Sequence, residues 1–265
     1  MRVSRVAQAA DDGYRCELAA GIKATADAER LADELAFAAV RLVELESDPP
    51  GVFANIVAQQ DPEEALWLAF LTAYLSPTEA EDPFAGIRAA HVPWSSGELP
   101  ALDVELGPRT SVDRSTAERT VLAYRAWAQR AGGQAAGFGG EPTWTPERRF
   151  DRLFERLALP GFGRAGRYEL LVMLGRLGVV QARPAALQLT DDATTVAAKR
   201  VFGIGDKLLL ERRAGALARA AELPIEALDL ALFNWAAAGT GSARLGARAA
   251  VPEQLREAAA AALDI

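Results

Sequence analysis

Two short Gly-apolar-Gly segments are the residues whose types and spacing most suggest chemistry. They occupy residues 159–164 (LPGFGR) and 201–207 (VFGIGDK), and each lies between two predicted helices. Glycine permits backbone torsions that a side chain forbids, and the N–H groups at the start of the following helix can bind a phosphate oxygen. A single Gly-x-Gly also fits an ordinary helix–turn–helix corner. Two of them in one basic segment favour a nucleic-acid contact.

The distribution of charge is consistent with such a contact. The chain has 265 residues and a formal net charge of −7. Residues 145–219 nevertheless carry 14 basic and 8 acidic side chains, against 12 and 22 in residues 1–144 and 3 and 6 in residues 220–265. A basic stretch within an acidic chain is a candidate binding surface for a polyanion, and a solvated Arg-rich helical surface is the alternative.

Composition excludes several classes of protein and site. Half of the residues are hydrophobic and a quarter are charged, as in globular proteins. The single cysteine and the single histidine argue against an internal disulfide, an iron–sulfur cluster and most zinc or serine–histidine chemistry. We therefore expect no cofactor and no metal. No long apolar run predicts a membrane span, so we expect a cytoplasmic protein without a membrane partner.

The elements that would position the two turns are helices. Apolar residues recur at helical spacing over residues 24–47, 63–75, 114–131, 145–157, 164–178, 193–202, 207–221, 225–237 and 252–265. Residues 92–112 and 132–140 are predicted to be loops, because they are rich in Pro, Gly and Ser or in Gly. Extended β alternation is absent from the sequence, which predicts an all-α fold.

The order of these features from about residue 53 to 235 resembles the helix–hairpin–helix DNA glycosylase superfamily of the endonuclease III type. The similar segments are residues 65–82 (ALWLAFLTAYLSPTEAED), 145–171 (TPERRFDRLFERLALPGFGRAGRYELL) and 203–235 (GIGDKLLLERRAGALARAAELPIEALDLALFNW). Because the chain departs in several places from the pattern of that superfamily, it resembles an outlying branch of it, near the alpha-glutamyl/putrescinyl thymine pyrophosphorylase group. The resemblance implies a two-lobed helical fold that binds the DNA backbone and a flipped base.

The resemblance also implies roles for particular residues. Asp229 takes the position of the catalytic aspartate, and Lys207 takes the position of the Schiff-base lysine of lyase-type members. The phosphate-binding residues would be Gly203 and Gly205 of the second turn, with Gly161, Gly163, Arg164 and Arg167 at the first turn. An aspartate can stabilise the positive charge that develops on a sugar when an N-glycosidic bond breaks, and a lysine amine can attack the sugar carbon.

A second register of the same resemblance remains open. It places the hairpin at residues 159–164 and the aspartate at Asp191 or Asp192, with Ala165 at the lysine position. The later register is preferred because it also accounts for Pro224 and the apolar run after Asp229. In that register Asp206 is awkward for an approaching phosphate and would instead be a helix N-cap.

Several other residues have two interpretations. Trp67, Tyr74, Phe233 and Trp235 could line a pocket for a base, although core packing accounts for each of them. Lys207 could form only a surface ion pair with Glu211, four residues later.

Together these features predict one domain with a tail at residues 1–22. Residues 23–265 would form its two lobes, with the turn in about 114–235 and the other lobe from 23–91 plus 236–265. The expected function is that of a DNA-binding enzyme acting on the N-glycosidic bond or a substituent of a base, in base excision repair or DNA modification. The alternatives are a non-catalytic helix–hairpin–helix DNA-binding protein and a structural helical protein without nucleic-acid activity.

Overall fold

The computed structural model describes residues 9–237 and 242–265, and these residues contain helices and connecting segments but no strand. The all-α prediction is therefore confirmed. The α-helices of the described chain are α1 (Thr25–Ser47), α2 (Val52–Ala58), α3 (Pro62–Leu75), α4 (Ala85–Ala90), α5 (Ala117–Ala131), α6 (Gln134–Gly139), α7 (Pro146–Arg156), α8 (Arg164–Arg176), α9 (Ala193–Phe202), α10 (Lys207–Ala220), α11 (Ala227–Ala236) and α12 (Glu253–Ala261).

The contacts within the chain divide it into two compact units. Unit 1 consists of the described residues of Met1–Val43, Ala185–Ala243 and Ala249–Ile265, and unit 2 consists of Glu44–Pro184 and Arg244–Arg248. The first Gly-x-Gly turn, between α7 and α8, belongs to unit 2. The second turn, between α9 and α10, belongs to unit 1.

Helix α3 is the centre of unit 2, as its apolar sequence predicts. It packs against α2, α4, α6 and α8, and every residue from Ala65 to Leu75 is buried. The sequence Asp61-Pro62 predicts the start of this helix, and the structure confirms it: Asp61 accepts a hydrogen bond from the Glu63 N–H (2.9 Å), and Pro62 lies in the first turn. Phe70 of α3 stacks on Tyr124 of α5, with 3.8 Å between the ring centroids.

The Gly-rich segment 132–140 is not the loop that the sequence predicts, because α6 forms within it. The Glu63 carboxylate accepts hydrogen bonds from the backbone N–H groups of Gln134 and Ala135, both at 2.8 Å. These are N–H groups that a helix start leaves without an internal partner. A side chain 71 residues away in sequence therefore caps the helix, and no local pattern announces it.

Unit 1 is built on α1, α9, α10, α11 and α12. Helix α11 packs against α9, and the Trp235 indole N–H donates to the Asp27 carbonyl of α1 at 2.9 Å. The segment before α1 belongs to this core, since Tyr14, Cys16 and Ile22 are buried. Trp67, Tyr74 and Trp235 are fully buried, so these three aromatic residues serve as core.

The other predicted helices form within a few residues of their predicted bounds, and the short helices α2 and α4 form where the sequence predicts none. The sequence Thr190-Asp191-Asp192 predicts a cap before α9, as Asp206 does before α10, and Asp192 and Asp206 are confirmed as the two N-caps. Residues 92–112 form a long connection that contains one 3-10 turn, Trp94–Ser96. None of the helices in the described chain is long and apolar enough to cross a membrane.

Candidate nucleic-acid interface

The first Gly-x-Gly turn is a tight connection whose central side chain points into unit 2. Gly161 has a φ of 77°, in the left-handed region that favours glycine. Phe162 is 2% exposed, and its ring contacts Phe70 and Tyr74 at centroid distances of 5.2 and 6.1 Å. The middle apolar residue of such a turn is expected to fill the gap between the helices, and Phe162 does so by anchoring the turn to α3.

Helix α5 approaches this turn closely. A Cβ built on Gly161 would lie 2.1 Å from the Thr120 hydroxyl oxygen. Gly163 is different, since it is exposed and no heavy atom lies within 4 Å of the position of its Cβ. The two glycines of this turn thus have different effects: Gly161 allows the close approach of Thr120 in α5, and Gly163 leaves open space at the start of α8.

The starts of α8 and α10 differ in the residue that caps them. Gly163 is the N-cap of α8 and has no side chain that could accept a hydrogen bond. Asp206 is the N-cap of α10, and its carboxylate accepts from the Leu209 N–H at 2.9 Å. A carboxylate at this position occupies the place where a phosphate oxygen would bind and repels it. Of the two turns, only the first has an N-cap that is compatible with an anion.

Arg164 and Arg167, predicted to bind DNA, are directed into unit 2. Arg164 is 4% exposed, and its guanidinium lies 4.6 Å from the centroid of the Tyr168 ring. Arg167 donates to the Phe154 carbonyl at 2.8 Å and stacks on the Phe154 ring. Burial, and secondarily the neighbouring Arg164, lowers the pKa of the Arg167 guanidinium. Both residues make structural contacts in this arrangement.

Exposed arginines lie instead on α7, the helix that leads into the first turn. Arg148, Arg152 and Arg156 follow one another at four-residue spacing, which puts them on one face of the helix, and all three are exposed. We call these three residues the α7 arginine row. Arg152 pairs with Glu155 at 3.1 Å, and Arg156 lies over the Trp144 ring at 5.1 Å. The i, i+4 spacing is visible in the sequence and could have identified Arg152 and Arg156.

The second turn is covered on one side by the segment before α1. Gly203 ends α9 with a φ of 68°, and a Cβ on it would lie 3.2 Å from the Gly21 Cα. The Gly21 N–H also donates to the Val201 carbonyl at 2.9 Å. Gly205 is exposed, with nothing within 4 Å of its Cβ position. The close packing on Gly21 therefore explains the glycine at position 203 by structure alone.

Lys207 lies at the start of α10 with about half of its side chain exposed (52%). Its Nζ is 3.9 Å from the Asp191 carboxylate, which is 88% exposed. The alternative pairing with Glu211 does not form, because that carboxylate accepts hydrogen bonds from the Leu187 and Leu189 N–H groups at 2.8 Å. An exposed amine and an exposed carboxylate therefore lie side by side in unit 1.

The other candidate aspartates have different surroundings. Asp192 caps α9: its Oδ1 accepts from the Thr195 N–H at 2.9 Å and from the Thr195 hydroxyl at 2.8 Å. Asp229 lies in the first turn of α11 and is only 2% exposed. The catalytic role of Asp229 stays a prediction, and any such role requires that substrate reach a buried carboxylate.

Comparison with known proteins gives one match. Residues 109–236, just under half of the chain, match the family model described as alpha-glutamyl/putrescinyl thymine pyrophosphorylase clade 3. The chain is thus similar to this group, in agreement with the branch that the sequence suggests. The matched segment contains both Gly-x-Gly turns, the α7 arginine row and all of the candidate aspartates.

No curated protein and no solved structure matches the chain significantly. The wider relationship to the helix–hairpin–helix DNA glycosylase superfamily stays a prediction.

Proposed function

We propose that the protein is a DNA-binding enzyme that modifies a base in DNA, with thymine as the base. The observation that carries this proposal is the match of residues 109–236 to a family described by a thymine-modifying activity. The description names a pyrophosphorylase of a glutamyl- or putrescinyl-substituted thymine, so the chemistry concerns a substituent of the base. Membership of the helix–hairpin–helix glycosylase superfamily is part of the same proposal.

We assign the phosphate contact to the first turn, in unit 2. Gly163 leaves open space at the start of α8, whereas Asp206 fills the equivalent position of α10 with a carboxylate. The positive end of a helix dipole attracts an anion only where no carboxylate already occupies it. Gly203, predicted to bind phosphate, then serves the fold of unit 1 through its packing on Gly21, and Gly205, predicted with it, makes no such contact.

The α7 arginine row supplies the positive surface beside that turn. Its members are exposed and four residues apart, so their Cα atoms follow one another about 6 Å apart along the helix axis. Guanidinium groups bind phosphate oxygens in pairs and release counterions from DNA when they do. This contact is independent of sequence, which leaves the choice of base to another part of the protein.

For the chemical step we propose Asp191, with Lys207 beside it, in unit 1. The register that begins at the first turn requires an aspartate at the start of the next helix, and α9 is that helix. Asp192 is engaged as its N-cap, so Asp191 is the carboxylate that faces solvent. A carboxylate at this place can stabilise positive charge on the sugar or on an activated substituent of the base.

Substitution of the N-cap residue of each turn tests the assignment of the phosphate contact to the first turn. Gly163→Asp adds an N-cap carboxylate that should preserve or raise the stability of α8 while repelling the DNA phosphate. We expect duplex binding to fall at least about tenfold, which corresponds to about 1.4 kcal/mol. Asp206→Asn is the matched control and should leave binding unchanged. Unchanged binding by Gly163→Asp together with tighter binding by Asp206→Asn would assign the contact to the second turn.

Substitution of the aspartates tests the chemistry. The reaction is followed by mass spectrometry of the nucleosides released from thymine-modified DNA after incubation with each variant. Asp191→Asn should abolish the change in the base while DNA affinity remains, because a neutral amide no longer stabilises positive charge. Full activity of Asp191→Asn together with loss in a folded Asp229→Asn variant would instead support the later register.

A non-catalytic DNA-binding protein is the second candidate. The burial of Asp229 favours it, since the carboxylate of the preferred register has no direct access to a substrate. On this account the wild-type protein binds duplex DNA, and the nucleosides are unchanged with every substrate tried.

A further inference from the structure

A cavity of unit 2 between α2, α3 and α4 has the features of a separate ligand site. Its volume is about 320 Å³, and its floor is formed by the buried side chains of Val52 and Leu68. Asn55, Gln59, Arg88 and His91 contribute the polar groups around it. An apolar floor with a few convergent polar groups is the usual construction of a small-molecule site.

The charge of this cavity differs from that of two other cavities of unit 2. None of the described residues that line it is acidic, although the whole chain has a net charge of −7. The cavity near Leu99 is lined in part by Asp103 and Glu118, and the cavity near Phe84 by Glu79 and Glu81. Of these three cavities, the one between α2, α3 and α4 therefore has the lining that repels an anionic group least.

The histidine of this cavity is held in place by the residues behind it. The His91 Nε2 is 3.8 Å from a Glu64 carboxylate oxygen, and the other oxygen accepts from the Trp94 N–H at 2.8 Å. The Trp67 indole N–H donates to the Val92 carbonyl at 2.8 Å, which fixes the same segment on α3. The imidazole, the single one in the sequence, is thus a positioned polar group at the rim.

Two side-chain amides, those of Asn55 and Gln59, also line the cavity. Asn55 and Gln59 are four residues apart at the end of α2, so their carboxamides lie on one side of the cavity. A carboxamide offers both a donor and an acceptor, which is the pattern of a nucleobase edge. Arg88 pairs with Asp82 at the rim and brings a guanidinium to the same space.

We propose that this cavity binds a nucleoside monophosphate. The Asn55 and Gln59 amides contact the base edge, Val52 and Leu68 lie against its face, and Arg88 and His91 hold the phosphate. The volume of about 320 Å³ lies at the small end of the range of ligand pockets, which fits a single nucleotide. The proposal does not depend on the proposed activity, since it concerns a free nucleotide in a cavity of unit 2 that shares no residue with the first turn.

The histidine signal of the full-length protein tests the proposal. Because the chain contains one histidine, the imidazole Hε1 resonance in the NMR spectrum belongs to His91 without further assignment. The four deoxynucleoside 5′-monophosphates are the probes, and the matching deoxynucleosides and inorganic phosphate are the comparisons. We expect at least one monophosphate to shift the signal saturably below about 1 mM, with the nucleoside and phosphate each at least about tenfold weaker.

Substitutions in the cavity distinguish recognition of the phosphate from recognition of the base. Arg88→Gln should weaken the monophosphate about tenfold or more, because a charge-assisted hydrogen bond to phosphate is lost. Arg114→Gln is the matched control, since Arg114 is also exposed in unit 2 and also pairs with an aspartate, Asp103. Asn55→Leu with Gln59→Leu should abolish differences between the four bases.

Three results would overturn the proposal: no shift of the His91 signal at about 1 mM, equal affinity for inorganic phosphate, or equal weakening by Arg88→Gln and Arg114→Gln.

Discussion

At the scale of single residues, the first turn depends on two glycines that a side chain would affect differently. Gly161→Ala would place a Cβ 2.1 Å from the Thr120 hydroxyl at a φ of 77°. We expect the free energy of unfolding to fall by about 1–3 kcal/mol, the range for a residue forced into a sparsely populated conformation. Denaturant titration measures it.

Gly163→Ser is the control for this prediction, because its side chain meets open space and can cap α8. Its stability should be equal to or above that of the wild type. Equal destabilisation by both substitutions would show that the turn is not held against α5 as described.

The two classes of arginine near the turn give a second prediction at this scale. Arg167→Ala removes the donor to the Phe154 carbonyl and should destabilise the protein by about 1–3 kcal/mol, the cost of an unpaired buried acceptor. Arg148→Ala changes an exposed side chain and should stay within about 0.5 kcal/mol of the wild type. Thermal and denaturant unfolding of both variants provide the comparison; similar losses would contradict the difference in burial.

At the scale of elements, the segment 244–248 is attached to unit 2 through Glu79. The Glu79 carboxylate accepts from the Arg244 N–H at 2.9 Å, and partial desolvation of this carboxyl, on a residue that is exposed overall, raises its pKa above the ordinary value. A raised pKa in the folded state means that the folded protein binds a proton more tightly than the unfolded chain. The resulting loss of stability is therefore complete above the folded pKa and absent below the ordinary value of 4.5.

The corresponding prediction concerns stability against pH. Between the ordinary and the folded pKa, the wild type should gain stability as the pH falls, and Glu79→Gln should lack this component because an amide does not titrate. Urea unfolding at a series of pH values measures both curves. Parallel curves for the two proteins across this window would contradict the assignment to Glu79.

The elements also show what the sequence could predict. Helices α3, α9 and α10 begin at the predicted Asp residues because N-capping is a local interaction. Helix α6 was missed because its cap is the distant Glu63 carboxylate. The sequence also indicated the obstacle at Asp206, since an aspartate before an apolar helix is an N-cap pattern.

At the scale of the whole molecule, the net charge of −7 conceals the basic stretch at residues 145–219. The 14 basic side chains of residues 145–219 do not all reach solvent, and Arg164 and Arg167 are engaged within unit 2. Their role could not be predicted, because it depends on the rings of Tyr168 and Phe154 beside them. The exposed α7 arginine row, by contrast, follows from helical spacing alone.

The salt dependence of duplex DNA binding tests the central claim most directly. It compares the wild type with a variant in which Arg148, Arg152 and Arg156 are all Gln, and Arg114→Gln serves as control. The account predicts that the slope of log affinity against log salt concentration becomes shallower by about 2–3 in the triple variant and is unchanged in the control. An unchanged slope in the triple variant, or no binding by the wild type at about 50 mM salt, would contradict a DNA interface at the first turn.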